Sequence, residues 1–253
     1  MSFHHVLIAG ASGGIGLGFV RHCVSMPELE TLIMCSPRAG SHPELLQIQQ
    51  HLRDSGRRCL LLNVDITDDA SLNTLTQSLS AEVPHLDLII NASGLLHEEG
   101  LAPEKMLEHV SSAALQRLFA VNAHGPILLA KALLPWLKQR RPIVFASLSA
   151  RVGSIQDNGL GGWYGYRSSK AAQNQLLKTL SIELRRRNPE AIVLALHPGT
   201  TDTALSQPFQ SNVSQEKLFS PEFSSEKMLS ILKTAKPADS GKFFAWDGQE
   251  IPW

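Results

Sequence analysis

Cysteine, net charge, long apolar runs and metal-binding patterns are scarce or missing in this 253-residue chain, and each absence removes a class of function. The three cysteines, Cys23, Cys35 and Cys59, are widely spaced and contain no Cys-x-x-Cys pair. That argues against zinc or dithiol chemistry and fits a reducing compartment. Lysine plus arginine equals aspartate plus glutamate at 23 each, so nothing suggests nucleic acid or an anionic membrane as partner. The one basic run, Arg185-Arg186-Arg187, falls where a helix should end, and cations there complement the helix dipole. No apolar run approaches the roughly 18 residues of a membrane span, and the first, from Val6, has no basic leader or cleavage site. A soluble cytoplasmic protein is expected. The ten histidines include no His-Glu-x-x-His and no compact His/acid cluster, so no metal is expected. No repeat, low-complexity block or linker divides the chain, and 43% apolar against 18% charged residues is an ordinary globular balance.

What the chain does contain is an alternation of strands and helices. Val6-Leu7-Ile8-Ala9 is a short apolar run of the kind a buried parallel strand requires, and it leads directly into Gly10-Ala11-Ser12-Gly13-Gly14-Ile15-Gly16. A helix is expected over residues 15–25. Glycines between such a strand and helix allow a tight turn and let a pyrophosphate approach the helix N-terminus, where unpaired N–H groups and the dipole favour negative charge. The spacing is Gly-x-x-x-Gly-x-Gly, not G-x-G-x-x-G. Residues 31–35 read as the second strand, and no acid follows to grip the ribose hydroxyls of NAD. Ser36 and Arg38 stand there instead, a hydroxyl and a cation suited to the 2′-phosphate of NADP. NADP(H) is therefore the expected cofactor, with NAD(H) still open.

A helix over 43–55 and a strand over 59–64 lead to Asp65 and Ile66. Two roles are open to Asp65: accepting the adenine amino group, or capping the helix that starts near Thr67-Asp68-Asp69. Helix 70–79 and strand 86–90 precede Asn91-Ala92-Ser93-Gly94, whose small residues let a cofactor lie against the backbone. Residues 103–140 read as largely helical and contain Asn122, which in mid-helix either sits exposed or spends its side chain on a particular partner. Strand 142–147 ends in Ser147-Leu148-Ser149-Ala150, at the carboxyl edge where ligands bind in parallel sheets. Strand 191–196 runs into His197-Pro198-Gly199-Thr200-Thr201-Asp202-Thr203. The polar, irregular stretch over 204–225 suits a mobile substrate lid, so a lid is expected at about 200–225, before a last helix over 225–234 and a strand over 242–246. This order predicts an α/β fold, a single-domain Rossmann-type doubly wound parallel sheet in three layers, with right-handed crossovers.

Between the fifth and sixth strands, Tyr166 and Lys170 stand four residues apart at the start of a helix, which puts both on one face. A fixed ammonium beside a phenol lowers the phenol's pKa from its usual value near 10 and makes it a plausible proton donor to a carbonyl oxygen.

Together these residues resemble the short-chain dehydrogenase/reductase family over essentially the whole chain. The motifs that match, in order, are Gly10-x-x-x-Gly14-x-Gly16, Asp65, Asn91-x-x-Gly94, Tyr166-x-x-x-Lys170, and Pro198-Gly199 with Thr203. The stretch from Leu148 to Ile155, Gly161-Gly162-Trp163-Tyr164-Gly165-Tyr166, and the closing Trp246-Asp247-Gly248 with Ile251-Pro252-Trp253 look like its C-factor or sniffer-like carbonyl reductase branch. The resemblance implies reversible hydride transfer between a nicotinamide and a carbonyl or secondary alcohol. It implies Tyr166 as acid/base and Lys170 tuning Tyr166 and binding the nicotinamide ribose, with Asn122 supporting a water-linked relay. It also implies a cofactor site formed by Gly10, Ser12, Gly13, Gly14, Ile15, Gly16, Ser36, Arg38, Asp65, Ile66, Asn91, Gly94, Tyr166, Lys170, Pro198, Gly199, Thr201 and Thr203. A homodimer or homotetramer is expected by the same analogy. The family's threonine before the first glycine is Ala9 here, and its Asn-Asn-Ala-Gly is Asn91-Ala92-Ser93-Gly94. The catalytic serine usually stands three residues before the loop glycine, a place taken by Ala150, so either Ser149 assumes the role or the chain has no standard serine. A substrate pocket from Arg151, Trp163, Leu205, Phe209 and Trp253 is expected to be mostly apolar. A dinucleotide-binding signalling protein of C-factor type, and a purely structural Rossmann module, are the other readings; an intact Tyr166, Lys170 and Asn122 argues against both.

Overall fold

The inner strands of this protein's sheet are short, apolar and buried on both faces, which is what a sheet covered by helices on each side requires. The computed structural model describes all residues except Val213 and the side chain of Asn212, both within the segment expected to form a lid. In chain order the strands are β1 (His5–Ala9), β2 (Thr31–Ser36), β3 (Arg58–Asn63), β4 (Leu88–Asn91), β5 (Ile143–Leu148), β6 (Ala191–His197), the two-residue β7 (Thr200–Thr201) and β8 (Leu218–Phe219), and β9 (Lys242–Ala245). Seven of them form a fully parallel sheet in the order β3-β2-β1-β4-β5-β6-β9. The order reverses between β1 and β4, so a crevice opens there at the carboxyl ends of the strands.

The helices are α1 (Gly14–Val24), α2 (Pro43–Asp54), α3 (Asp69–Glu82), α4 (Ser112–Phe119), α5 (Gly125–Ala132), α6 (Leu134–Leu137), α7 (Tyr164–Arg187) and α8 (Pro221–Thr234). Successive strand residues point to opposite faces, so one apolar run feeds two cores. Ile8, Leu32, Met34, Ile90 and Leu194 meet Phe19, Leu45, Leu52 and Met228 on the α1, α2 and α8 side. Leu7, Ile33, Ile89, Phe145 and Val193 meet Leu75, Leu129, Leu177 and Leu184 on the α3, α5 and α7 side. Each such side chain contributes about 1.5–3 kcal/mol of burial, so the sheet is a rigid base for loops at its carboxyl edge.

Three boundaries differ from the sequence reading. The last helix starts at Pro221, not near residue 225, because Ser220 accepts a hydrogen bond from the Phe223 N–H and proline occupies the first turn. Residues 103–111 hold only a single turn, Leu107–His109, and α4 begins where the Ser111 hydroxyl accepts from the Ala114 N–H. Within 204–225 the chain is not simply irregular: it forms 3₁₀ turns at Gln207–Asn212 and Gln215–Lys217, and β8 pairs with β7.

Among the described residues no helix is long and apolar enough to cross a membrane, and no group of three His, Cys, Asp or Glu side chains could hold a metal. All three cysteines are unpaired and buried, and burial pushes each thiol up to about 12, so none is a thiolate near neutrality.

Candidate active site

The glycine turn between β1 and α1 is fixed by close approach. The Gly10 and Ala11 N–H groups both donate to the Cys35 carbonyl, and a Cβ on Gly16 would lie 2.0 Å from the Gly10 oxygen. Helix α1 is capped by Gly13, which has no side chain to accept from the first-turn N–H groups. Those groups are left for an anion. Gly10, Ser12 and Gly13 form one wall of a cleft of about 280 Å³, with Ser36, Asp65, Ile66 and Gly94 around it. Ser36 is only 1% exposed and its hydroxyl has no hydrogen-bond partner among the described residues. A buried unpartnered hydroxyl in a glycine-lined cleft is what a dinucleotide's phosphate and ribose would satisfy, so these residues fit the cofactor that the family implies.

Some predicted residues are placed otherwise. Asn91 does not line the cleft: it is fully buried, donates to the Ser147 hydroxyl at 2.9 Å and accepts from the Ser93 N–H at 3.2 Å. Its role is to brace the end of β4 against β5 and shape the Ala92-Ser93-Gly94 wall from behind. Gly16 is likewise buried beneath the turn and does not line this cleft. Arg38 is exposed and is not on the wall, although Pro37 beside it is; it makes no ion pair among the described residues. The cation that does line the cleft is Arg117, held by Glu98 through hydrogen bonds of 2.7 and 3.1 Å. Asp65 lines the cleft while accepting from the Thr67 N–H and hydroxyl, and the cap of α3 is Asp68.

Helix α7 brings the chemistry together. It starts at Trp163, which adopts a left-handed backbone with φ 52° and provides no side-chain cap. Glu104, 3% exposed, fills that place: its carboxylate accepts from the Gly165 N–H at 3.1 Å, one residue before Tyr166. Tyr166 and Lys170 are both buried on the face expected, the Lys170 Nζ 6.0 Å from the phenol ring centre. Lys170 donates to the Leu148 carbonyl at 2.8 Å and to the Gln173 Oε1 at 2.9 Å. The Gln173 amide in turn donates to the Ser147 hydroxyl, which also accepts from Asn91, so β4, β5 and α7 are tied by one polar network.

Electrostatics correct one expectation. Burial raises the Tyr166 phenol above its ordinary value instead of Lys170 lowering it, and burial lowers the Lys170 ammonium from 10.5 to about 7. In the ligand-free chain both groups lose hydration, and the lysine's contacts are neutral oxygens, not a phenolate. Asn122 is also buried, inside a π-helical turn at Ala120–His124. It spends its amide on a partner: the oxygen accepts from the Leu95 N–H, and the nitrogen donates to the Leu95 carbonyl and to the Ser169 hydroxyl on α7. Ser149 is buried at the end of β5, where its hydroxyl donates to the Asn174 Oδ1 at 2.7 Å.

Two cavities meet at Tyr166. One, of about 280 Å³, joins Gly13, Gly14, Ile15 and Gly94 to Tyr166, Lys170, Pro198 and Thr203. The other, of about 470 Å³, is lined by Ser149, Tyr166, Pro198, Gly199, Thr201 and Thr203, and by Arg151, Trp163, Leu205 and Phe209. Trp253 does not line it; its ring stacks on Phe243. His197 does, with a buried Nδ1 that has no partner among the described residues, and burial together with nearby Arg151 holds its imidazole down to about 4. Sequence reasoning missed Gln173, Asn174, Glu104, Arg117 and His197 as site residues. Gln173 was within reach, since positions 166, 170 and 173 share a helical face. Glu104 and Arg117 carry no local signal, because their partners are distant or come from another loop.

A family model described as short chain dehydrogenase matches residues 4–214. The protein called C-signal of Myxococcus xanthus is 36% identical over 169 residues, covering 66% of this chain and 93% of its own. An uncharacterized oxidoreductase of Schizosaccharomyces pombe is 30% identical over 258 residues, covering 97% and 96%. The NADPH-bound carbonyl reductase from chicken fatty liver superposes with a TM-score of 0.86 at 26% identity over the full length of both chains. The carbonyl reductase Sniffer of D. melanogaster gives 0.87 at 24%, also full length, a likeness of fold. With the glycine turn, the Tyr166–Lys170 helix and the parallel sheet in place, the chain belongs to the short-chain dehydrogenase/reductase family.

Proposed function

We propose that this oxidoreductase is an NADPH-dependent carbonyl reductase, interconverting a carbonyl and a secondary alcohol with Tyr166 as acid/base. The observation that carries this is the position of Tyr166: a phenol with no hydrogen-bond partner among the described residues, opening on both the glycine-turn cavity and the apolar one. A nicotinamide nucleotide, when bound, supplies the hydride. The α1 N-terminus with Gly10–Gly16 takes its pyrophosphate, Ser36 and Arg38 its 2′-phosphate, Asp65 and Ile66 its adenine, and Pro198, Gly199, Thr201 and Thr203 its nicotinamide end. NAD(H) is the weaker alternative, since no acid follows β2.

Tyr166 donates the proton to the carbonyl oxygen. Its raised pKa keeps the phenol protonated until that moment. Lys170, with an ammonium held to about 7, exchanges protons readily at neutral pH and contacts the nicotinamide ribose. Ser149 polarises the substrate oxygen by turning its hydroxyl from Asn174, and Asn122 holds α4, the Leu95 backbone and α7 in register for a water-linked relay. The segment over 200–225 closes the apolar cavity as a lid, and the protein works in the cytoplasm as a homodimer or homotetramer.

The test is fluorescence titration with NADPH and NADH, then addition of aldehydes and ketones. Tyr166→Phe should abolish turnover and leave NADPH affinity nearly intact; substantial residual reduction refutes the assignment. A second reading, a dinucleotide-binding signalling protein, is favoured by the C-signal relative and by Ala150 at the usual serine position. Tight NADPH binding with no carbonyl turned over would support it.

A further inference from the structure

Within the apolar cavity stands one cation that no acid among the described residues neutralises. Arg167 follows Tyr166 on α7 and lines the same cavity. Its Nε donates to the Gly161 and Gly162 carbonyls at 3.2 and 3.0 Å, which fixes the plane of the guanidinium. Among the described residues neither Nη of Arg167 has a hydrogen-bond acceptor, and no carboxylate lies within ion-pair distance. Neighbouring arginines differ: Arg117 pairs with Glu98, and Arg151, the other cation on this cavity, pairs with Asp157 at 3.1 Å. The formal charge left on the wall is therefore that of Arg167. Around it are Leu96, Val152, Leu160, Trp163, Leu205 and Phe209. Burial lowers the pKa of Arg167 and no acid raises it, in contrast to Arg117.

A half-buried guanidinium without a counter-ion has lost hydration and gained only two carbonyl contacts in return. The Nε edge is occupied, so what remains is the end-on fork of the two Nη groups, which matches the two oxygens of a carboxylate. One positive charge balances one carboxylate and leaves a phosphate dianion half matched. The cavity, at about 470 Å³, is large enough for a ring-sized body between Arg167 and Tyr166. Resting on the reductase reading, we propose that the substrate is a carbonyl compound with an apolar, ring-sized body and one carboxylate, and that Arg167 binds this carboxylate through its two Nη groups while the carbonyl meets Tyr166.

The experiment compares NADPH-dependent reduction of 4-acetylbenzoic acid, a ketone that yields a secondary alcohol, with that of its methyl ester, by the wild type, Arg167→Gln and Arg167→Lys. The wild type should favour the acid about thirtyfold in kcat/KM, chiefly through KM, a size typical of a hydrogen bond to a charged group. Arg167→Gln should bring the ratio to about one, and Arg167→Lys should retain part of it. If Arg167 only holds the Gly161-Gly162 turn, both substrates suffer alike, the ratio does not move, and the proposal is overturned. An equal kcat/KM for acid and ester in the wild type overturns it as well. A second readout needs no turnover: benzoate, but not benzamide, should quench tryptophan fluorescence through Trp163, and Arg167→Gln should remove the quench. Reduction of neither ketone with the benzoate response intact overturns the reductase reading and leaves the anion site standing. Absence of the benzoate response in the wild type overturns the anion site.

Discussion

Replacing Lys170 by methionine should flatten the dependence of the ligand-free protein's stability on pH. Lys170 is 3% exposed, its contacts are neutral oxygens, and burial lowers its ammonium from 10.5 to about 7. Between those two values the unfolded chain holds a proton that the folded chain has released, so raising the pH favours folding, by tenfold in the folding constant per pH unit. Below about 7 both states are protonated, the dependence vanishes, and the penalty of burying the charge is at full size. Other groups act outside this window. His197, held to about 4, and His5, also lowered, cost stability as the pH falls below their ordinary 6.5. The buried thiols, pushed up to about 12, and the raised Tyr166 cost stability as the pH rises past about 9. From about pH 7, where the folded ammonium is half titrated, to about pH 8.5 the wild type should therefore gain about 1.6 kcal/mol relative to Lys170→Met, about sixteenfold in the folding constant. Urea unfolding of both proteins at the two pH values, followed by tryptophan fluorescence without cofactor, measures this as a difference of differences. Parallel pH profiles would show that the ammonium keeps its charge in the fold, and would refute the proton-exchange role given to Lys170.

Gly16→Ala places a methyl 2.0 Å from the Gly10 oxygen, so the turn must open; NADPH affinity should fall at least tenfold in titration, with a lowered Tm. Asn122→Leu removes the partners of both the Leu95 N–H and carbonyl and the donor to the Ser169 hydroxyl, which keeps its own bond to the Tyr166 carbonyl. Denaturant unfolding should show a loss of about 2–4 kcal/mol, and turnover should fall with it. Ser149→Ala should lower kcat about a hundredfold if its hydroxyl polarises the substrate oxygen. An unchanged kcat would show that Ala150 marks an enzyme without that hydroxyl.

The alternation of apolar runs with amphipathic stretches determined the doubly wound sheet, because strand and helix periods are local and the βαβ crossover has one favoured hand. The glycine turn and the Tyr166–Lys170 spacing were legible for the same reason: a tight turn and a helical face are set by residues within a few positions. Asn122 was legible as an anomaly, since a buried amide in mid-helix demands a partner. What that partner is, the backbone of Leu95, depended on how two distant segments pack. The same holds for Asn91, turned away from the cleft by Ser147, and for Glu104, which caps α7 from 61 residues away in sequence. The charge states of Tyr166 and Lys170 went against local reasoning. Spacing along a helix brings two groups together, but their pKa values follow the loss of water around both, and only the packing of α7 against β4 and β5 creates that loss.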